Sequence, residues 1–202
     1  DVYKRQFLHF GSISLLQEPA ATRIADLVSA NAGRCVIVFD PNVRPSLIPD
    51  LATYRLRVAN WFAMADLVKL SDEDAALLAP DRPVDALAAE ILAAGARAVI
   101  VTRGGEGATL WRAGKAPLSV AAPRVQVVDT IGAGDTFTAG LSVALLDQGV
   151  EHRDQLAALG DDGWRAVMRF AATAAALNCT REGADPPVLA AVQAALAQGD
   201  NR

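Results

Sequence analysis

Asp129 and Asp135 bracket a glycine turn, Thr130-Ile131-Gly132-Ala133-Gly134. Before it, Val125-Gln126-Val127-Val128 reads as a strand. After it, Phe137, Leu141 and Leu145 recur one helical turn apart, up to a stop at Gly149. Gly132 and Gly134 let the backbone turn tightly and approach a ligand. The first N–H groups of the following helix lack intrahelical partners and sit at the positive end of its dipole. Gly132, Ala133 and Gly134 therefore form a candidate anion hole. A carboxylate on its rim repels a resting phosphate, so Asp135 needs a chemical reason to be there. Taking the proton from a hydroxyl that attacks the phosphate is one, and it is a kinase active site in outline. The structural alternative is a helix-capping Asp after an ordinary strand-to-helix turn.

Strand and helix patterns alternate along the chain and must position that turn. Phe7–Gly11 reads as a strand, Pro19 can start a helix closed by Gly33, and Val36–Phe39 is a short buried strand. A helix from about Pro49 to Ala63 leads to a strand at Asp66–Leu70. Ser71 caps a short acidic helix, Val84–Ala94 is helical, and Ala98–Thr102 is the next strand. Pieces between Ala108 and Val120 suggest an antiparallel hairpin. Trp164–Asn178 and Pro187–Ala197 read as helices. Such alternation predicts an α/β fold, a three-layer α/β/α sandwich on a mostly parallel sheet. Ligands in such sheets bind beyond the carboxyl ends of the strands.

Three further segments fall at those ends. Asp40-Pro41-Asn42-Val43-Arg44 is turn chemistry, from which Asn42 and Arg44 could meet a phosphate or an acidic sugar, since a planar guanidinium suits either. Ser71-Asp72-Glu73-Asp74 combines an N-cap with acids that favour the helix dipole. Thr102-Arg103-Gly104-Gly105-Glu106-Gly107 is a glycine-rich turn with no helical pattern after it, so it is not a dinucleotide fingerprint.

Composition sets the outer limits. The 202 residues are 52% hydrophobic and 21% charged with net charge −4, which indicates a globular chain and argues against a nucleic-acid partner. Apolar runs such as Cys35–Phe39 are too short to span a bilayer, so no membrane partner is expected and a cytoplasmic location is the default. Two cysteines and two histidines mark no disulfide scaffold or metal site. The opening Asp1-Val2-Tyr3-Lys4-Arg5-Gln6 lacks an initiator Met and back-translates to a transposon-end sequencing adapter. Residues 1–6 are therefore expected to be a cloning or sequencing scar, and 7–202 a single domain portion.

The string Asp129-Thr130-x-Gly132-Ala133-Gly134-Asp135-x-Phe137 resembles the C-terminal signature of the ribokinase-like, or PfkB, carbohydrate kinases, and the likeness covers nearly all of the chain. It implies Asp135 as catalytic base. The Asp40-x-Asn42-x-Arg44 segment is similar to that of bacterial fructokinases and 2-keto-3-deoxygluconate kinases. Thr102, Gly104 and Gly107 match a family stretch that lines the nucleotide, as does Ser71. Asp74, one methylene shorter than the usual Glu, stands where the family orders the water shell of Mg²⁺. Asp129, Ile131, Arg181 and Gly183 match a monovalent-cation site built mostly from backbone carbonyls, with K⁺ as the candidate ion. Ala172 replaces an Asn near the adenine, so no adenine contact is carried over.

The resemblance implies ATP-dependent phosphorylation of a sugar hydroxyl, with ATP and Mg²⁺ required and a small-molecule sugar as partner. Fructose is the first substrate and 2-keto-3-deoxygluconate the alternative. A homodimer of the full-length protein stays open. In the family the sugar-contacting turn, acidic sugar ligand and β lid lie in the N-terminal third, ahead of Phe7. The chain is therefore expected to hold the nucleotide and catalytic part, to lack the lid, and to be weakly active or inactive alone. The reading of another class is a non-catalytic nucleotide- or sugar-phosphate-binding module.

Overall fold

A computed structural model of the chain describes residues 6–199. The segment expected to be a scar lies outside the described residues except for Gln6, whose carbonyl accepts from the Val36 N–H at 2.8 Å. Among the described residues six strands form one mixed, mostly parallel sheet in the order β1-β2-β3-β4-β5-β6. They are β1 (Phe7–Gly11), β2 (Val36–Asp40), β3 (Leu67–Ser71), β4 (Ala98–Thr102), β5 (Ala108–Trp111) and β6 (Leu118–Val120). The helices are α1 (Ala20–Asn31), α2 (Leu51–Met64), α3 (Asp72–Leu78), α4 (Val84–Ala94), α5 (Ala133–Asp147), α6 (Arg153–Ala158), α7 (Asp161–Asn178) and α8 (Leu189–Gly199). Among the described residues no helix is long and apolar enough to cross a membrane.

Contacts divide the chain into two compact units. The first runs through Thr102 and adds Leu110–Pro117 and Glu151–Ala158. The second comprises Arg103–Thr109, Leu118–Val150 and the chain from Leu159.

In the first unit β1 to β4 run parallel, with Gly11 opposite Asp40 and Ser71 opposite Thr102, so the strands end at one common edge. β2 is buried along its whole length, which explains its continuous apolar run. Phe39 is the centre of the core: it stacks on Phe10 at 4.8 Å and meets Trp61 and Phe62 edge-on. Asp50 caps α2 by accepting from the Ala52 N–H at 2.9 Å. Asp66, just before β3, is a buried knot. One oxygen accepts from the Ile37 N–H, the other lies 3.1 Å from Arg153 Nε, and its carbonyl accepts from Arg97 and Ala98. That knot gives α6 its place in this unit.

In the second unit α5 and α7 pack closely, with Phe137, Leu141, Leu145, Trp164 and Met168 all buried. Gly140 permits the approach, since a Cβ there would lie 3.0 Å from the Ala171 Cα. The residues 125–128 expected as a strand are not one: they join no ladder, and Val127 and Val128 are exposed. Their β-branched composition signals an extended backbone, but without a cross-strand partner no sheet forms. The Val128 and Asp129 N–H groups find an acceptor in the Cys179 carbonyl.

One charged pair is sealed into the first unit. Lys69 Nζ lies 3.0 Å from Asp40 Oδ2, with both side chains 5% exposed or less. Burial pushes the Asp40 carboxyl above its ordinary 3.8, against the pull of Lys69. A carboxyl held up in the folded state binds its proton more readily there than in the unfolded chain. Stability therefore falls as pH rises between the ordinary and the folded value, and is flat above. Lys69→Met pushes Asp40 further up, widens that window, and strands a buried charge, costing about 3–5 kcal/mol at neutral pH. Combining it with Asp40→Asn should recover most of the loss. Urea unfolding of both variants, at neutral and mildly acidic pH, checks the size and the sign.

Candidate active site

Each unit gathers part of the expected chemistry. In the first, Asp40, Ser71 and Thr102 end their strands at the common edge, and the turn after β2 carries Asn42 and Arg44. Asn42 adopts a positive φ of 39°, which the Asp-Pro-Asn turn requires and which Asn tolerates. Arg44 is exposed, with Nη1 3.3 Å from the carbonyls of Asn42 and Val43, so its guanidinium stays at its own turn. Ser71 and Asp74 form a full capping box on α3: Ser71 Oγ accepts from the Asp74 N–H and Asp74 Oδ2 from the Ser71 N–H.

Asp74 is tied into the protein's own backbone. It is 5% exposed, and its second oxygen accepts from the Val43 N–H at 2.7 Å. Both oxygens serve the protein's own backbone. Asp74 thus braces α3 against the Asn42–Arg44 turn. Among the described residues no three His, Cys, Asp or Glu come together as a metal cluster. Thr102, half-buried, donates its hydroxyl to the Leu70 carbonyl at 3.3 Å.

In the second unit the glycine-rich turn is a tight 3₁₀ turn at Gly104–Glu106, closed by an Arg103 N–H to Gly107 carbonyl bond. Gly107 is needed for packing, because a Cβ there would lie 2.0 Å from the Val120 carbonyl oxygen. Gly104 faces open space and leaves its backbone free to be approached.

The turn before α5 is built by two segments. Gly132 is its N-cap residue, in the left-handed region at φ 76°, ψ 0°. A Cβ there would meet the Ala184 Cβ at 2.8 Å, so strain and crowding both demand glycine. Gly132 offers no side chain to cap α5, and the Ala133 N–H donates to the Thr130 carbonyl at 3.2 Å, so the expected anion hole narrows to the Gly132 and Gly134 amides. Asp135, in that first turn, is exposed. Open amides and an exposed carboxylate at the positive helix end fit an anion above the turn and a reacting hydroxyl beside it.

Asp129 fastens the turn to the segment after α7. Its Oδ1 accepts from the Ile131 N–H at 3.0 Å and its Oδ2 from the Gly183 N–H at 2.8 Å. These backbone bonds hold its carboxyl below the ordinary 3.8. The structure thus brings Asp129, Ile131 and Gly183 together, while the Arg181 guanidinium reaches outward to Asp185 at 2.8 Å. A carboxylate with backbone carbonyls is an all-oxygen donor set that fits an alkali cation. Missing from the sequence reading is Asn178, fully buried at the end of α7. Its Nδ2 donates to the Ile131 carbonyl at 2.8 Å and its Oδ1 accepts from Thr136 Oγ1 at 3.3 Å. The signal was available: Val167, Ala171, Ala174 and Asn178 mark one buried helix face, and the last of them is polar.

Because the folded Asp129 carboxyl is depressed, its contribution to stability is present above 3.8 and is lost as pH falls through the folded value. Asp129→Asn should lower stability at neutral pH and flatten the acid limb of the stability curve. Thermal melts across acidic pH check this, and an unchanged acid limb would contradict it.

Comparison with known proteins gives a consistent result. The model of the pfkB family of carbohydrate kinases matches residues 1–191. A fructokinase of Rhizobium leguminosarum bv. trifolii is 39% identical over 158 residues, covering 78% of this chain and 48% of that protein. Among solved structures, the Xylella fastidiosa fructokinase with bound ATP superposes with a TM-score of 0.90 at 26% identity, over 98% of this chain and 63% of that one. A Vibrio cholerae fructokinase with fructose, ADP and potassium ion bound gives 0.81 at 25% identity, over 93% and 59%. The chain spans about half the length of the curated relatives it matches.

Proposed function

The chain belongs to the pfkB family of carbohydrate kinases, and from that premise we propose that it is the nucleotide-binding and catalytic part of an ATP-dependent, fructokinase-like sugar kinase. The observation that carries the reading is the start of α5: a left-handed Gly132, open first-turn amides and the exposed Asp135.

In the proposed reaction a sugar hydroxyl oxygen bonds to the γ-phosphorus of ATP, the bond to the β–γ bridging oxygen breaks, and ADP leaves. The amides at Gly132 and Gly134 receive the oxygens of the transferring group, where the helix dipole favours their charge, while the Ala133 N–H closes the turn on the Thr130 carbonyl. Asp135 takes the hydroxyl proton. A carboxylate can do this because the alcohol becomes acidic only as its bond to phosphorus forms. The chemistry Mg²⁺ would supply, if bound, is shielding of the phosphate charge. Asp74 keeps Val43, and with it Asn42 and Arg44, in place beside the β2 end. Thr102, Gly104 and Ser71 serve the nucleotide, with Gly107 shaping their turn. A monovalent cation such as K⁺ would sit among the Asp129 carboxylate and the carbonyls of Ile131, Arg181 and Gly183.

The Asp40-Pro41-Asn42-Val43-Arg44 turn and the fructokinase relatives support fructose as acceptor, with 2-keto-3-deoxygluconate as second candidate. In the complete gene product, Asp135→Asn should cut turnover by about 10²–10⁴-fold while ATP binding persists. Steady-state ADP release and ATP titration check this; near-wild-type turnover would refute the role of Asp135. A wild-type product that binds nucleotide yet releases no ADP with either sugar would favour the binding-module reading.

A further inference from the structure

Asn178 is the last residue of α7, and its side chain is completely buried. Its two amide atoms bond to different parts of one turn. Nδ2 donates to the Ile131 carbonyl at 2.8 Å, just before the left-handed Gly132. Oδ1 accepts from Thr136 Oγ1 at 3.3 Å, one helical turn into α5. One side chain therefore spans the turn from its entrance to the first turn of the helix. The backbone between them, Gly132 to Asp135, has no side-chain cap of its own.

We propose that Asn178 is a positioning residue for phosphate binding, holding the α5 amides and the Asp135 carboxylate in their working orientation. Three physical points support it. A buried amide left without partners is costly, so the two bonds fix the rotamer of Asn178 and transmit that fixity to both partners. The bond to Nδ2 ties the Ile131 carbonyl to the end of α7, so this acceptor stays away from an incoming anion. Left-handed Gly132 cannot restrain its own neighbours, because glycine resists rotation less than any other residue. Asp129 secures the turn through its carboxylate and the Gly183 N–H, whereas Asn178 is the tie that reaches into the helix. The inference rests on the kinase reading, because only an anion at the α5 start gives the orientation a function.

The test uses the complete gene product and two variants. Asn178→Leu keeps the volume and removes both bonds. Thr136→Val removes the hydroxyl bond and leaves Nδ2 on the Ile131 carbonyl. Losing a buried hydrogen bond at a binding turn corresponds to about a tenfold change in affinity. The calorimetric Kd for ATP should therefore rise about tenfold or more in Asn178→Leu and about threefold in Thr136→Val, with the sugar KM in place. A Kd for ATP equal to wild type in a folded Asn178→Leu would overturn the proposal. So would a parallel rise of the ATP Kd and sugar KM alongside a lowered melting temperature, which is the mark of general loosening. If Asn178→Leu does not fold, Thr136→Val decides: a selective rise in ATP Kd supports the proposal and no change overturns it. Asp135→Asn separates the two claims. An active Asp135→Asn sinks the kinase reading itself. An inactive Asp135→Asn beside an unchanged ATP Kd in Asn178→Leu sinks only the role of Asn178.

Discussion

A helix that begins on a left-handed glycine has no side chain with which to cap itself. α5 begins this way at Gly132, and the amides left open are what an anion could use. The same openness means that the turn must be held from outside. The segment from Asn178 to Ala184 does the holding. The Cys179 carbonyl takes the Val128 and Asp129 N–H groups, Asn178 takes Ile131 and Thr136, Gly183 meets Asp129, and Ala184 crowds Gly132. The close packing of α5 on α7 at Gly140 brings the two segments near enough for this. Binding capacity at the helix start and dependence on a distant stretch of chain are two sides of one constraint.

The first unit solves a related problem with charge. The turn after β2 must leave the sheet in an unusual conformation, with Asn42 at positive φ, and still be rigid. Asp74 accepts the Val43 N–H from within the protein, and Asp40 at the strand end is paired with Lys69. A buried carboxylate bonded to backbone N–H groups is a stronger ligature than a neutral side chain. It is also an exacting one, since removing either member of the Asp40–Lys69 pair leaves a charge in low dielectric.

Much of this was legible from residue pattern. Ser71, Pro19 and Gly33 announced helix boundaries through their backbone chemistry, and the buried strands stood out as continuous apolar runs. The turn at Gly132 to Asp135 was legible because two closely spaced glycines and a carboxylate precede a helical apolar period at Phe137, Leu141 and Leu145. What failed was whatever depends on partners distant in sequence. Val125–Val128 has strand composition and no strand to pair with. α6 spans six residues, too few for a period to show, and is held by Arg153 reaching Asp66. The burial of Asp74 against the Val43 N–H was not visible either, because acidity shows in a sequence and burial does not. Asn178 escaped because its two bonds cross more than forty residues of chain.

The placement of the indoles has a practical bearing. Trp61 and Trp111 lie in the first unit, while Trp164, fully buried on α7, is the sole tryptophan of the second. With the other two replaced by phenylalanine, its emission becomes a private optical reporter on the helix pair that holds the Gly132 turn. Solvent reaching that indole registers the loosening of the second unit by itself, whether or not strands β1 to β4 of the first still stand.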